Sequence, residues 1–231
     1  MRHCGQRLLL ATGLVVGVTA LVLSPPPPGW AAAAMHAGLN STKPANGSVL
    51  SASPTRIVLH FTEPVQAQTL KVLEYVPPRP EVAEVPIRIQ QRGTDVVLVP
   101  VRPVDGGVTV AWSVTSDDGH VVSGAVSFWV GTPPALQRLV PLVTVPGVPA
   151  SIDGATVGLR TVQFRRPVES GSVRWSHPLL PGPITTAIVG GGRLAQSSAL
   201  LTLPGSWNLE ATLLGSDDSI VVVRSAVTIK R

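Results

Sequence analysis

Asp118 and His120 are the residues of this chain whose types and spacing point most directly to metal chemistry. They flank Gly119 in the run Ser116-Asp117-Asp118-Gly119-His120, so on an extended chain their side chains share one face. A carboxylate and an imidazole presented together can form part of a site for copper, zinc or nickel. Taken alone, the motif is more ordinarily an Asp-Gly turn followed by a surface histidine.

Other donors are few. The chain has five histidines and one cysteine, and Cys4 lies in an N-terminal segment that we expect to be removed. A mature chain without cysteine has no disulfide, no zinc-thiolate site and no thiol nucleophile. Any metal must then be held by histidine, carboxylate, methionine or backbone groups.

Two of the remaining histidines are weaker candidates. His60 points away from the apolar face formed by Ile57, Leu59 and Phe61, so we interpret it as a solvated strand histidine. His177 precedes a proline in a turn-like stretch, and we interpret it as structural or exposed.

Sequence motifs of common hydrolases are absent. The chain contains no G-x-S-x-G, no H-E-x-x-H and no P-loop. No pair of acidic residues lies in a sequence context that indicates general acid–base catalysis. We predict that the protein is not an enzyme.

Residues 1–34 have the three parts of a secretory signal peptide. Arg2 and Arg7 give a positive start, an apolar run extends from Leu8 to Leu23, and small residues reach Ala34. The alternative is an uncleaved membrane anchor, but the run is shorter than the ~20 residues that span comfortably, and a proline cluster stops it. We predict cleavage, no membrane span in the mature chain, and an extracytoplasmic location in the periplasm, cell envelope or medium.

The spacing of apolar residues predicts an all-β protein. From Arg56 onward they alternate with period two, as a half-buried strand requires, and no stretch shows helical periodicity. Turn residues separate the runs at regular intervals, which favours a sandwich of two antiparallel sheets over residues 35–131. The predicted strands are 56–61, 69–75, 86–90, 94–99, 107–115 and 121–130.

A second β domain is predicted beyond a linker. Residues 132–150 are Pro-rich and weakly patterned, with 135–145 open to a short helix or strand. Residues 151–231 suffice for a small β-sandwich-like domain. Its predicted strands are 156–164, 170–175, 184–189, 199–203, 206–214 and 219–229.

The net charge of +5 raises the question of nucleic-acid binding. The basic residues are scattered along the sequence, and only Arg165-Arg166 and Lys230-Arg231 are adjacent. Aromatic content is low, and the tryptophans sit in strand-like runs. Without a basic stripe we predict no nucleic-acid partner.

Several separated sequence blocks of the first domain occur in the order found in a known protein family. The block from His36 to Leu39 is followed by 41–48, and the strand ending at Phe61 continues into Thr62-Glu63-Pro64-Val65. Residues 112–128 fit the pattern W-x-V-x-S-x-D-G-H-x-x-x-G-x-x-x-F. Over about residues 35–131 the chain resembles the CopC family of periplasmic copper-binding proteins.

The resemblance implies a Greek-key β-sandwich and a Cu(II) site. In this family the ion is held by the amino group and imidazole of an N-terminal histidine and by the Asp and His of the D-G-H segment. The corresponding ligands are His36, Asp118 and His120. Nitrogen and oxygen donors in a tetragonal arrangement favour Cu(II). Glu63 also resembles a family position, and we interpret it as structural. A methionine-rich Cu(I) site is not expected, because Met35 is the only candidate methionine in the mature chain.

The N-terminus departs from the family pattern. Relatives usually carry alanine before the first histidine, whereas Met35 precedes His36 here. Cleavage after Ala34 would begin the chain at Met35, and cleavage after Ala33 would make His36 the third residue. A third-position histidine lets the terminal amine, two amides and the imidazole enclose Cu(II) in a plane. Both cleavage sites fit A-x-A, so both remain open.

The second domain carries a fainter resemblance. The run Leu203-Pro204-Gly205-Ser206-Trp207 is similar to the closing P-G-x-W hairpin of small β domains that sometimes follow CopC modules.

We therefore predict an exported copper carrier or buffer that serves copper homeostasis or resistance. Its implied partner is a separate CopD-like integral membrane copper transporter. The alternative is a metal-free cell-envelope interaction module of two β domains, because the first histidine is displaced from the terminus. A copper oxidase is disfavoured, since an aspartate ligand tends to fill the coordination position that such chemistry needs open.

Overall fold

A computed structural model describes residues 37–134, 142–143, 151–164, 167–189 and 195–230 of the protein. These residues belong to one compact unit, residues 35–231. Within the described ranges the regular structure is all β-strand, so the predicted fold class is confirmed. None of the described segments forms a helix of the length and hydropathy that a membrane crossing requires. The predicted signal peptide lies outside the described residues.

Among the described residues, nine strands precede residue 131, and all six predicted there are present. Three short strands that lack a strong apolar alternation were not predicted, over residues 39–43, 49–50 and 82–85. The strands are β1 (Leu39–Lys43), β2 (Val49–Leu50), β3 (Ile57–Phe61), β4 (Val65–Tyr75), β5 (Val82–Val85), β6 (Ile87–Arg92), β7 (Asp95–Pro100), β8 (Gly106–Ser116) and β9 (Val121–Val130).

Eight further strands follow, and all six predicted for this part of the chain are present. The strands are β10 (Leu142–Val143), β11 (Ser151–Thr156), β12 (Gly158–Phe164), β13 (Ser170–Ser176), β14 (Ile184–Ala187), β15 (Ala195–Leu201), β16 (Gly205–Leu214) and β17 (Ile220–Lys230). The short β10 falls within the segment predicted to be a linker, and the predicted domain boundaries stay a prediction.

The strands form three sheets. Sheet A has the order β1-β3-β7-β6, and sheet C has the order β10-β12-β15. Sheet B runs β11-β17-β16-β13-β14-β9-β8-β4-β5, with β2 added parallel to β9. A single sheet therefore continues from the first nine strands into the C-terminal half, through the parallel pairing of Ile184 in β14 with Ala125 in β9.

One hydrophobic core lies between sheet A and the β4–β8–β9 part of sheet B. Alternate residues of β3 point into it, as the period-two pattern predicts, and they meet the even-numbered residues of β8. The rings of Phe61 and Trp112 meet edge to face, with centroids 5.2 Å apart. This geometry is a favoured arrangement of buried aromatic pairs.

A second core covers the opposite face of the same strands. Tyr75, Ala125 and Trp129 belong to a buried cluster whose other members come mainly from β12–β17. The hydroxyl groups of Thr109 and Thr202 are hydrogen-bonded to each other. The Ser127 hydroxyl donates to the Leu200 carbonyl over 2.5 Å. Both faces of β8 and β9 are thus buried, and their polar residues find partners in the C-terminal half, as buried polar groups require.

The approach of the two halves is close at Gly182. A Cβ at this position would lie 2.4 Å from the Ser123 carbonyl carbon and 2.5 Å from the Gly124 nitrogen. The adjacent Pro183 carbonyl accepts a hydrogen bond from the Ala125 amide over 3.0 Å. Only glycine allows the backbone to reach β9 here without displacing it.

Glu74 and Arg102 form a partly buried ion pair that the sequence did not predict. Glu74 of β4 has a buried side chain, and Arg102 donates to both of its oxygens over 3.1 and 2.6 Å. The Asp105 amide donates to the same carboxylate over 2.8 Å. Burial raises the pKa of Glu74, but the hydrogen bonds from Arg102 and Asp105 outweigh it, so the pKa lies below its ordinary value.

Candidate metal centre

The turn between β8 and β9 is a tight one that presents Asp118 and His120. The Gly119 amide donates to the Ser116 carbonyl over 2.9 Å, and the Ser116 amide donates to the His120 carbonyl over 3.0 Å. Gly119 has a φ of +83°, a conformation that favours glycine. The local sequence therefore explains why two potential ligands stand on either side of a glycine.

Asp118 and His120 contact each other directly. The His120 Nδ1 lies 2.9 Å from the Asp118 Oδ2. The Ser116 hydroxyl and the His120 amide both hydrogen-bond to Asp118 Oδ1, the latter over 3.2 Å. The imidazole is 62% exposed and the carboxylate 35% exposed. The carboxylate is thus oriented by the turn, and both groups face solvent.

The separation of the two donors fits a shared metal ion. Two ligands held at right angles about 2.0–2.1 Å from one ion would be about 2.9 Å apart. The donor set, an imidazole nitrogen and a carboxylate oxygen, is one that borderline divalent ions accept. Among the described residues, no group of three or more His, Cys, Asp or Glu side chains is arranged to hold a metal. A complete site therefore needs at least one further ligand from elsewhere.

The third predicted ligand, His36, lies outside the described residues. The chain is fixed directly after it, because Ala37 is buried in the first core. The Gly38 amide donates to the Thr62 hydroxyl over 2.9 Å, and the Thr62 amide donates to the Gly38 carbonyl over 2.9 Å. Three residues beyond Thr62, Val65 pairs with Ser116 at the base of the turn. The N-terminal segment and the Asp118–His120 turn are thus at the same end of the sandwich.

Glu63 lies in the segment that connects these two features. Its Oε1 is buried and has no hydrogen-bond partner among the described residues. A buried carboxylate oxygen without a donor is uncommon in folded proteins. Glu63 resembles a family position, and its interpretation as structural stays a prediction.

His60 has a partner that its sequence context did not reveal. It is half-exposed, and its Nδ1 lies 2.5 Å from Asp95 Oδ1 on the neighbouring strand β7. The Thr94 hydroxyl lies 3.4 Å from the same nitrogen. The histidine is therefore held in a cross-strand pair, away from the apolar face of β3 as predicted.

His177 is a structural residue of the C-terminal half. The Leu179 amide donates to its Nδ1 over 3.2 Å, and its Nε2 lies 3.2 Å from the Pro204 carbonyl. Its ring packs against Trp207, with centroids 4.8 Å apart. These partners select the neutral imidazole with its proton on Nε2. Burial lowers the pKa of His177, which the Pro204 carbonyl offsets only in part.

We expect His177 to make the protein less stable in mild acid. A histidine whose pKa is lower in the folded state stabilises the fold fully above its unfolded pKa of about 6.5, and this contribution falls as the pH drops below that value. Urea unfolding at pH 7.5 and at pH 5.5 should show a loss of stability that is smaller in His177→Gln. Equal losses in wild type and His177→Gln would contradict the assignment.

The comparisons with known proteins define the class of the first nine strands. Residues 39–131 match the sequence profile of the CopC domain. This part of the chain is therefore a CopC domain, as the motifs indicated, and the match supports a copper-related function. No curated protein matches the chain.

Several solved structures are similar to part of this chain. PcoC, described as a methionine-rich copper resistance protein from Escherichia coli, is 25% identical, covers 41% of this chain and 98% of its own, and has a TM-score of 0.38. CopC from Methylosinus trichosporium OB3b is 22% identical, with coverages of 42% and 95% and a TM-score of 0.36. The fibronectin(III)-like modules of Clostridium thermocellum CbhA are 11% identical, with coverages of 84% and 94% and a TM-score of 0.25. Scores of this size do not establish a common fold, so the domain match carries the assignment.

Proposed function

We propose that this protein is an extracytoplasmic, non-enzymatic copper carrier or buffer that binds Cu(II) through its CopC domain. The observation that carries the proposal is the 2.9 Å separation of Asp118 and His120 on an exposed turn of that domain. The ligands are His36, Asp118 and His120. In this role copper is cargo, received and released by the protein.

The chemistry of the donors supports the divalent ion. Imidazole nitrogen and carboxylate oxygen in a tetragonal arrangement favour Cu(II), which stands at the top of the divalent affinity series. A Cu(I) site rich in methionine has no basis in this sequence, which contains two methionines, Met1 and Met35. The relative PcoC is described as methionine-rich, so the two proteins differ in the donors that they offer.

Each residue of the turn has a defined task. The hydrogen bonds from Ser116 and from the His120 amide hold Asp118 with one oxygen toward the imidazole. Both donors are exposed, so copper can be passed to a second protein without unfolding of the turn. The expected recipient is a separate CopD-like integral membrane protein.

A Cu(II) titration of the naturally processed protein tests the proposal. We expect one equivalent to bind, with a nitrogen-rich tetragonal signal in electron paramagnetic resonance. His120→Ala should lose stoichiometric binding, because one of few ligands is removed. The matched variant His60→Ala should bind like the wild type, since His60 and Asp95 lie on sheet A whereas the Asp118–His120 turn joins two strands of sheet B.

Two further results bear on the ligand set. Intact-mass analysis should place the mature N-terminus at Met35 or Ala34, and a terminus beyond His36 would overturn its role. Absence of stoichiometric binding in the processed wild-type protein would overturn the copper function and favour the metal-free envelope module.

A further inference from the structure

The outer face of sheet A collects basic residues that are far apart in the sequence. Residues directly opposite each other on adjacent strands share a face. Lys43 lies opposite Val58, Arg88 opposite Val99, and Arg92 opposite Asp95. Val58 in turn lies opposite Val97. Alternation along each strand then places four cations on this one face: Lys43, Arg56, Arg88 and Arg92.

The positive charge of this face is not balanced. All four cations are exposed. None of them forms an ion pair with any residue that the structure describes. The strands of sheet A contain one acidic residue, Asp95, and it is engaged by His60 at 2.5 Å. Four cations against this one carboxylate, which also lines the recess described below, leave a net positive face that attracts negatively charged partners and speeds their encounter.

The same face is concave. A cleft of about 1110 Å³ lies between the sheet and the segment that connects β1 to β3. Valines of β3 and β7 form its floor, and Leu50, Ala52 and Pro54 form an apolar wall. Lys43, Arg56 and Arg92 line the cleft, and Arg88 lies beside it on the edge strand β6. We call this feature the cationic cleft.

We propose that the cationic cleft binds an acidic, extended segment of a protein partner. Successive side chains of an extended chain point to opposite sides. Such a segment can therefore lay apolar side chains on the valine floor and direct carboxylates to the arginines. Arg88 and Arg92 are four residues apart on β6, so the carboxylates that meet them are about 13 Å apart, which is the spacing of every second outward residue of a strand.

The lining of the cleft favours a peptide over other anionic partners. The residues that line it include no Phe, Tyr or Trp, which single-stranded nucleic acids use for base stacking. The cations lie around a recess rather than on a convex surface, so a flat lipid bilayer cannot reach the valine floor. Apolar side chains alternating with carboxylates match both features of the cleft. This binding role goes beyond the copper function and does not depend on it.

Fluorescence anisotropy with the processed full-length protein tests the proposal. The probe is a fluorescein-labelled peptide of alternating Glu and Val residues. We expect binding that weakens at least about tenfold in Arg88→Glu/Arg92→Glu, because attraction becomes repulsion at two contacts. Higher salt should also weaken it. A peptide of alternating Lys and Val should not bind.

A matched variant separates the cleft from the overall charge. Arg174→Glu/Lys230→Glu changes the net charge equally at exposed positions of the C-terminal strands and should bind the acidic peptide like the wild type. Equal loss in both double variants would overturn the cleft as the site. Stronger binding to single-stranded DNA or to phosphatidylglycerol vesicles than to the peptide would overturn the class of partner. Both variants should bind copper normally, so a failure here is distinguishable from a failure of the copper proposal.

Discussion

Replacement of Trp207 by alanine should lower the free energy of unfolding by about 3–5 kcal/mol. Trp207 is fully buried in the second core. Its indole N–H donates to the Leu203 carbonyl over 2.9 Å, and its ring packs on His177. The variant would lose the buried apolar area, leave a cavity and deprive the Leu203 carbonyl of its donor.

Thermal unfolding measures this loss, which corresponds to a melting temperature lower by roughly 10 °C for a chain of this size. The control is Trp207→Phe, which keeps an aromatic ring against His177 but removes the N–H group and part of the bicyclic ring. We expect it to cost less than alanine, about 1–2 kcal/mol, for the unpaired Leu203 carbonyl and the smaller cavity. A Trp207→Ala variant as stable as the control would contradict the central position of this residue in the core.

Replacement of Arg102 by alanine should cost about 2–3 kcal/mol, because it leaves the buried Glu74 carboxylate with only the Asp105 amide as a partner. Arg102 itself is half-exposed, which keeps the effect below that of a fully buried pair. The matched variant Arg88→Ala removes an exposed arginine without an ion-pair partner among the described residues, and it should change stability by no more than about 0.5 kcal/mol.

The pH dependence of the Arg102 variant gives a second test. In the wild type the pKa of Glu74 lies below its ordinary value. The pair therefore stabilises the fold fully above the unfolded pKa of about 4.3, and this stability is lost as the pH falls through the lower folded value. Without Arg102, burial raises the pKa of Glu74, so the variant should be penalised at neutral pH and recover relative to wild type in acid. A constant difference between pH 7 and pH 4 would contradict this assignment.

The strands and the Asp118–His120 turn could be predicted from the sequence because each depends on local pattern. Ile57, Leu59 and Phe61 alternate as a half-buried strand must, and Gly119 between two polar residues marks a turn. The contact between the two predicted ligands, Asp118 and His120, follows from that turn alone.

Features that depend on distant parts of the chain could not be predicted. The alternation in β8 indicated one buried face, whereas Thr109 is also buried because Thr202 and its neighbours cover the second face. Arg102 and Glu74 are separated by 28 positions, and nothing in either local sequence links them. The scattered basic residues form no stripe in the sequence, yet strand pairing gathers Lys43 and Arg88 on one face. His36, which the resemblance implies as a ligand, lies outside the described residues.

The continuity of sheet B limits where the coding sequence can be divided without exposing the core of the encoded protein. The match to the CopC domain ends at residue 131, but the second face of β4 and β9 carries Tyr75, Ala125 and Trp129, which the C-terminal strands keep from water. A gene cut at that boundary would encode a sandwich with an uncovered apolar face, a surface prone to association. A recombination event that leaves both parts folded would therefore have to fall elsewhere than at the boundary that sequence similarity marks. We also expect the two halves to unfold in one calorimetric transition.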